Sequence, residues 1–169
     1  MSGESVTYYW CVPGPAEEAR FQAVIDELAS AQGAPCFIPH MSLASVKGAA
    51  PDLGPILNDL QGLKLKPLAI DETETFTMSL FLRVEPNAAL LQARKAFEAV
   101  SGFQSSRSFD PHLSLCYGPP PPGAANLASV QALLQKPVTF DRLVTVDIPA
   151  RVSTYDDIRA WNVLGTIPF

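Results

Sequence analysis

The chain has 169 residues, 47% hydrophobic and 17% charged, which provides enough apolar side chains for one folded core and excludes a mainly disordered chain. The formal net charge of −5 disfavours binding along a nucleic-acid backbone, because such binding needs many Lys and Arg side chains. A small phosphorylated ligand, held by a few local donors, is compatible with this charge.

The sequence also bears on location. No apolar stretch approaches the roughly 20 residues of a transmembrane helix, and the N-terminal residues lack the basic and apolar regions of a signal peptide. The three cysteines form no CxxC pair, which favours reduced thiols over a disulfide framework. We therefore expect a cytoplasmic protein with no membrane association.

In chain order, the first predicted elements are strand 6–12, helix 15–32, strand 36–46 and helix 51–60. Helix 15–32 carries apolar residues at helical spacing, and Gly33 is positioned as its C-cap. Two strands follow, 63–75 and 76–84, and the second alternates apolar residues on one face. Their adjacency suggests a hairpin or an antiparallel pair.

The second half of the chain is predicted to contain helix 87–100, strand 111–117, helix 126–135, strand 138–148 and strand 158–167. The last two strands again suggest an antiparallel pair, and Pro119–Pro122 suggests a stiff surface loop. The order of elements lacks a strict βαβ rhythm, so the predicted class is α+β, with helices covering one face of mostly antiparallel sheets. We expect one domain, 1–169, since no linker is long enough to separate two.

A short internal repeat contains both histidines of the chain. Phe37–Leu43 and Phe109–Leu115 share the pattern F-x-P-H-x-S-L, with five of seven positions identical. The proline before each histidine disfavours helix and places the histidine at the start or edge of a strand.

Residues i and i+2 of a strand point the same way, so His40 shares a face with Ser42, and His112 with Ser114. If a pseudo-two-fold axis relates the copies, the two pairs face each other across a cleft. Such a cleft suits a phosphate, because hydroxyls donate to its non-bridging oxygens and imidazoles can act as acid and base.

A zinc site is the competing interpretation of this region, since Cys36-x₃-His40 and His112-x₃-Cys116 supply two thiols and two imidazoles. On a strand, positions i and i+4 lie about 13 Å apart, too far to share one ion. The prolines and apolar residues favour strands here, so we predict no metal.

The paired motifs His40-Met41-Ser42 and His112-Leu113-Ser114 resemble the two-histidine (2H) phosphoesterase superfamily, whose signature is two copies of H-x-[S/T]. The similarity is closest to its cyclic phosphodiesterase branch, and motif-level identity is confined to Tyr9–Pro13, Pro39–Leu43 and Pro111–Gly118. The resemblance implies a bilobal α+β fold. Two mostly antiparallel sheets with pseudo-two-fold symmetry would face a central cleft, with helices outside and one motif from each half.

The resemblance further implies metal-independent hydrolysis of a cyclic phosphate without a cofactor. Its substrates would be nucleoside 2′,3′-cyclic phosphates or ADP-ribose 1″,2″-cyclic phosphate. One of His40 and His112 would be the general base and the other the general acid, in an order that the sequence leaves open. Ser42 and Ser114 would bind the phosphate.

Two further residues are candidates for substrate contact. The resemblance suggests Tyr117, although a regular strand from His112 puts Tyr117 on the opposite face unless a bulge or the strand end turns it. Trp10 either stacks on a base or belongs to the core. Few positive charges lie near the motifs. Lys47 follows the first motif and Arg107 precedes the second, and we expect both side chains to be on the solvated surface.

Two alternatives stay open. One is an enzyme of the same superfamily that processes RNA ends or 2′–5′ linkages, against which the acidic composition argues. The other is a non-catalytic module that binds a nucleotide. The expected partner is a small cyclic phosphate or nucleotide rather than long nucleic acid, and a monomer is the default expectation.

Overall fold

The structure, a computed structural model, describes residues 3–100, 102–105 and 107–169. The strands of this part of the chain are β1 (Ser5–Pro13), β2 (Met41–Val46), β3 (Lys64–Leu65), β4 (Pro67–Glu72), β5 (Leu80–Val84), β6 (His112–Cys116), β7 (Val138–Pro149) and β8 (Asn162–Pro168). The α-helices are α1 (Pro15–Gln32), α2 (Leu53–Leu60), α3 (Ala88–Glu98), α4 (Ala128–Gln131) and α5 (Tyr155–Arg159). Short 3₁₀ helices cover Phe76–Met78, Ala124–Asn126 and Ala132–Gln135.

The strands form one hydrogen-bonded antiparallel sheet in the order β3-β7-β1-β2-β6-β5-β4, and β8 pairs with β7. The predicted α+β class is confirmed. So are the two predicted antiparallel pairs, which are β4 with β5 and β7 with β8.

The sheet narrows at its centre, where β2 and β6 meet. Their pairing is recorded at one register position, Met41 opposite Leu113, whereas β1 and β7 pair from Ser5 to Pro13. On either side of this junction, a strand, a helix and an antiparallel strand follow in the same order. These units are β1-α1-β2 and β5-α3-β6. The repeated order of elements is what the expected pseudo-two-fold symmetry would produce.

One face of the sheet is covered by helices, and this leaves the other face for the cleft. Phe21 of α1 and Phe97 of α3 are fully buried in the same core as Leu43 and Leu113. Leu43 and Leu113 each follow a cleft-facing histidine by an odd number of residues, so strand alternation points them toward the helices. The burial of these leucines therefore fixes which face the histidines present.

Helix α1 shows why its bounds could be predicted. Pro15 lies in its first turn, where a missing N–H costs nothing, and Gly33 ends it with a left-handed φ of 65°. By contrast, the predicted strand 36–46 begins only at Met41, because Pro35 and Pro39 remove backbone donors.

Three other predicted elements are corrected. Phe76–Met78 is a 3₁₀ turn and not the start of a strand, and the amide of Met78 donates to the Thr75 carbonyl. The predicted strand 158–167 begins only at Asn162, because a capping box between Thr154 and Asp157 starts α5. The predicted helix 126–135 is divided between α4 and two 3₁₀ turns.

Within the described ranges, no helix has the combined length and hydrophobicity that crossing a bilayer requires.

Candidate active site

Both H-x-S motifs open into one cleft of about 460 Å³. His40 precedes β2 directly and His112 begins β6, so the two strands that meet at the centre of the sheet each deliver one histidine. Ser42 and Ser114 follow on the same face and line the same cleft. The structure thus brings together the four residues that the repeat singled out.

Each imidazole is oriented by the same local hydrogen bond. Nδ1 of His40 lies 2.7 Å from the carbonyl oxygen of Ile38, and Nδ1 of His112 lies 2.8 Å from that of Asp110. In the neutral imidazole the proton then sits on Nδ1 and donates to the carbonyl. Nε2 is left with its lone pair to accept a proton.

His40 is the buried member of the pair, with 5% of its surface exposed. Its ring stacks on the indole of Trp10 at a centroid distance of 3.6 Å and an angle of 14°. Burial lowers the pKa of His40 to about 4, the hydrogen bond to Ile38 opposes the shift, and the nearby charge of His112 adds to it. The His40 ring is therefore neutral at pH 7.

His112 is half-buried and has an ionic support that His40 lacks. Arg83, opposite His112 in β5, donates from Nε and Nη2 to both carboxylate oxygens of Asp110, at 2.9 and 3.0 Å. Asp71 accepts a third bond from Arg83. Since the backbone carbonyl of Asp110 orients His112, this ion-pair cluster holds the imidazole indirectly. Neither Arg83 nor Asp110 was among the predicted site residues, because these ion pairs join β5 to the segment before β6 and no local pattern marks them.

Tyr117 reaches the cleft because β6 contains a bulge. Leu80 pairs with Cys116 and Phe81 pairs with Ser114, so Leu115 is an extra residue that resets the alternation of β6. Tyr117 lines the cleft near Ser114, whose hydroxyl donates to the Thr77 carbonyl at 3.5 Å. Burial raises the pKa of Tyr117, so its hydroxyl stays protonated and able to donate.

Trp10 lies on the floor of the cleft, and only 2% of its surface is exposed. One face of its indole is covered by the His40 imidazole. The rings of Trp10 and Trp161 are in an edge-to-face arrangement, with 5.2 Å between their centroids. Trp10 also packs in a buried cluster with Val12 and Val144. Trp10 is therefore a core residue that packs against His40. Trp161 is the more exposed of the two indoles.

The cleft contains a positive charge that the sequence next to the two motifs did not indicate. Arg151, just beyond β7, lines it, whereas Lys47 is paired with Glu4 on the surface. Arg107 does not line this cleft but an adjoining pocket. Arg151, Trp161 and Tyr8 come from segments far from either motif, so nothing in the local sequence pattern marked them.

The cysteines lie apart from the cleft lining. Cys36 is exposed, while Cys116 is buried with its Sγ 3.5 Å from the Ser79 hydroxyl. In the part of the chain that the structure describes, no group of three or more His, Cys, Asp or Glu side chains has an arrangement suited to a metal ion.

No protein-family model and no curated protein matches the chain, but solved structures match over nearly its whole length. A structure described as a phosphoesterase is 14% identical, with a TM-score of 0.50 over 98% of both chains. E. coli LigT complexed with 3′-AMP is 13% identical, with a TM-score of 0.52 over 96% of both chains. E. coli LigT in the apo form is 13% identical, with a TM-score of 0.51 over 99% of this chain and 98% of that one.

The chain has the fold of these phosphoesterases. This agrees with the α+β fold that the resemblance to the two-histidine phosphoesterases implied. At such low identity the likeness carries the fold and leaves the substrate to the site itself.

Proposed function

We propose that this protein is a phosphoesterase of the two-histidine superfamily, a single domain of two lobes that hydrolyses cyclic phosphodiesters. The observation that carries the proposal is the repeated geometry of His40 and His112. Each imidazole is tied through Nδ1 to the carbonyl two residues earlier, and each lines the same cleft beside a serine of its own motif. Two Nε2 atoms are thereby available to one substrate, which is what concerted acid–base catalysis needs.

We assign the general-base role to His40. A base must be unprotonated before the reaction, and burial keeps His40 neutral at pH 7. Its stacking on Trp10 and its bond to Ile38 hold the ring in place. Both contacts fix the direction in which Nε2 approaches a water molecule.

His112 is then the general acid. It is the second imidazole that lines the cleft, and its contact with the Asp110 carbonyl through Nδ1 leaves Nε2 free to face the leaving oxygen. In the proposed reaction, a water oxygen bonds to phosphorus as its proton passes to His40. The P–O bond to the sugar breaks, and His112 donates a proton to the leaving sugar oxygen. The product is a phosphomonoester, and exchange with solvent returns the two histidines to their starting states.

The hydroxyls of the cleft supply the remaining contacts. Ser42, Ser114 and Tyr117 can donate to the non-bridging oxygens, and Arg151 adds positive charge at the rim. The volume of about 460 Å³ suits a mononucleotide-sized ligand. We therefore propose nucleoside 2′,3′-cyclic phosphates or ADP-ribose 1″,2″-cyclic phosphate as substrates.

The test is hydrolysis of both cyclic phosphates in EDTA, followed by phosphorus NMR. His40→Ala and His112→Ala are each expected to lower kcat about 100-fold or more, the usual contribution of a general acid or base. Ser42→Ala should lower kcat/KM about tenfold, while Ser45→Ala is the matched control, because Ser45 lies on β2 outside the cleft lining. Folded wild-type protein that turns over neither compound would reject the activity.

An RNA-end substrate is the second candidate. The arginines in and beside the cleft favour it, because a polynucleotide end brings additional phosphates to the histidines. Faster turnover of a short oligonucleotide with a 2′,3′-cyclic end than of the mononucleotide would select this candidate. Binding of nucleotides without any turnover would instead support a non-catalytic module.

A further inference from the structure

A second pocket of about 490 Å³ adjoins the cleft at His112. The two share Ser42, Met78 and His112 in their linings, so the pocket is a continuation of the cleft beyond His112. We call it the arginine pocket, and its other polar lining residues are Arg94, Gln104, Ser105, Arg107, Ser108 and Asp110.

Arg94 is a fixed positive charge in the wall of this pocket. Its guanidinium lies over the rings of Phe103 and Phe109, at 4.9 and 4.4 Å from their centroids. Nη1 donates to the carbonyl of Leu43 and Nη2 to the hydroxyl of Ser105, while Nε is buried without a hydrogen-bond partner. These partners are neutral, and no ion pair within the described residues neutralises Arg94.

The other charges of the pocket leave this positive field in place. Arg107 is exposed and forms no ion pair with another described residue. Asp110 is the one carboxylate among the described lining residues, and Arg83 binds both of its oxygens. Arg94 and Arg107 therefore line the same pocket in a protein whose net charge is −5.

We propose that the arginine pocket binds a second phosphate of the substrate, beyond the phosphate that lies between the histidines. The inference rests on the proposed function, which places the first phosphate. Arg107 is free to make charge-assisted hydrogen bonds to phosphate oxygens, and Arg94 supplies a fixed charge beside it. Gln104, Ser105 and Ser108 add neutral donors. The class selected is a nucleotide with a phosphate on its 5′ oxygen.

Two sources share this chemistry. One is a small molecule with a phosphate or diphosphate on that 5′ oxygen, such as a 5′-phosphorylated nucleotide or ADP-ribose 1″,2″-cyclic phosphate, and the other is the terminal nucleotide of an RNA, whose 5′ oxygen belongs to the preceding phosphodiester. In both, the second phosphate is attached to the same sugar as the cyclic one. The pocket begins directly at His112, so no long linker is needed between the two phosphates.

Binding without turnover is the first measurement. Calorimetry at constant ionic strength compares 3′-AMP with adenosine 3′,5′-bisphosphate. Wild type is expected to bind the bisphosphate about tenfold tighter or more, the effect of one charge-assisted contact. Arg107→Gln should reduce this ratio to about one, and Arg107→Lys should retain much of it. Lys136→Gln, which removes one charge from an exposed site outside both linings, should leave the ratio unchanged.

Turnover then distinguishes the two sources. Adenosine 2′,3′-cyclic phosphate, its 5′-phosphorylated form and a dinucleotide with a 2′,3′-cyclic end are compared by kcat/KM. Higher kcat/KM for both phosphate-bearing substrates supports the pocket, and the faster of them identifies the source.

Equal affinity of wild type for the two nucleotides would overturn the proposal. So would an affinity ratio that survives in Arg107→Gln. Because calorimetry requires no hydrolysis, an intact binding preference in a protein without turnover would refute the proposed function and leave the arginine pocket standing. The reverse pattern, turnover with no effect of a 5′-phosphate, would refute the pocket alone.

Discussion

Acidification should destabilise this protein through His40. Burial lowers the pKa of His40 to about 4 in the folded state, whereas the unfolded chain titrates it near the ordinary value of about 6.5. Between these two values the unfolded chain binds more protons, so the free energy of unfolding falls as the pH falls. The His40 contribution to that loss is about 2 kcal/mol at pH 5 and about 3 kcal/mol at pH 4.

Urea denaturation from pH 7 to pH 4, in buffers without phosphate, measures this loss. His40→Asn is the matched variant, because its side-chain amide can still donate to the Ile38 carbonyl but does not titrate. Wild type should lose about 2 kcal/mol more than His40→Asn between pH 7 and pH 5. Taking the difference between the two proteins cancels the titration of the other groups that they share.

Equal losses in the two proteins would refute the reasoning, because they would mean that His40 titrates alike in the folded and unfolded chains. Phosphate provides a further check of the same argument. An anion bound beside His40 favours the protonated form of that imidazole and raises its pKa, so added phosphate should shrink the wild-type loss. His40→Asn should respond less.

Three other predictions concern positioning, packing and backbone conformation. If His112 acts as proposed, Arg83→Met should lower kcat about tenfold or more with a smaller change in KM, because the Asp110 carbonyl that orients the His112 imidazole loses its anchor. Arg83→Lys should recover part of kcat, and a change confined to KM would contradict this. Leu113→Ala should cost about 2–5 kcal/mol in urea denaturation, because Leu113 is fully buried at the junction of β2 and β6, and a cost below about 1 kcal/mol would contradict it. Gly102→Ala should lower the thermal midpoint more than Gly123→Ala does. Both glycines have positive φ, but only at Gly102 would an added Cβ overlap the Lys47 carbonyl oxygen, so equal shifts of the midpoint would contradict this reasoning.

The residues of the candidate site were predictable where they belong to short sequence motifs. The two F-x-P-H-x-S-L segments mark both histidines and both serines, because proline and strand alternation act over a few residues. The bulge at Leu115 was not predictable, since it arises in the pairing of β6 with β5. Tyr117 reaches the cleft only because of that bulge.

The fold was predictable in its class, its helix α1 and its antiparallel pairs. The fold was less predictable where two local sequence signals favour different structures. The alternation of Phe76 and Met78 continues that of β5, yet the chain turns there, and tertiary contacts decide such cases. The capping box of Thr154 and Asp157 was visible in the sequence and was overlooked, which is why α5 was predicted as strand.

The path of the chain through the sheet has a consequence for biosynthesis. β1 lies between β2 and β7, and β7 begins only at Val138, after both strand–helix–strand units have been made. During translation, the edge of β1 that pairs with β7 therefore stays unpaired until most of the chain has left the ribosome. Arg151 and Trp161 of the cleft emerge later still. A nascent chain would thus carry both histidines long before the cleft is complete, and stalled translation products should be exposed to aggregation or proteolysis.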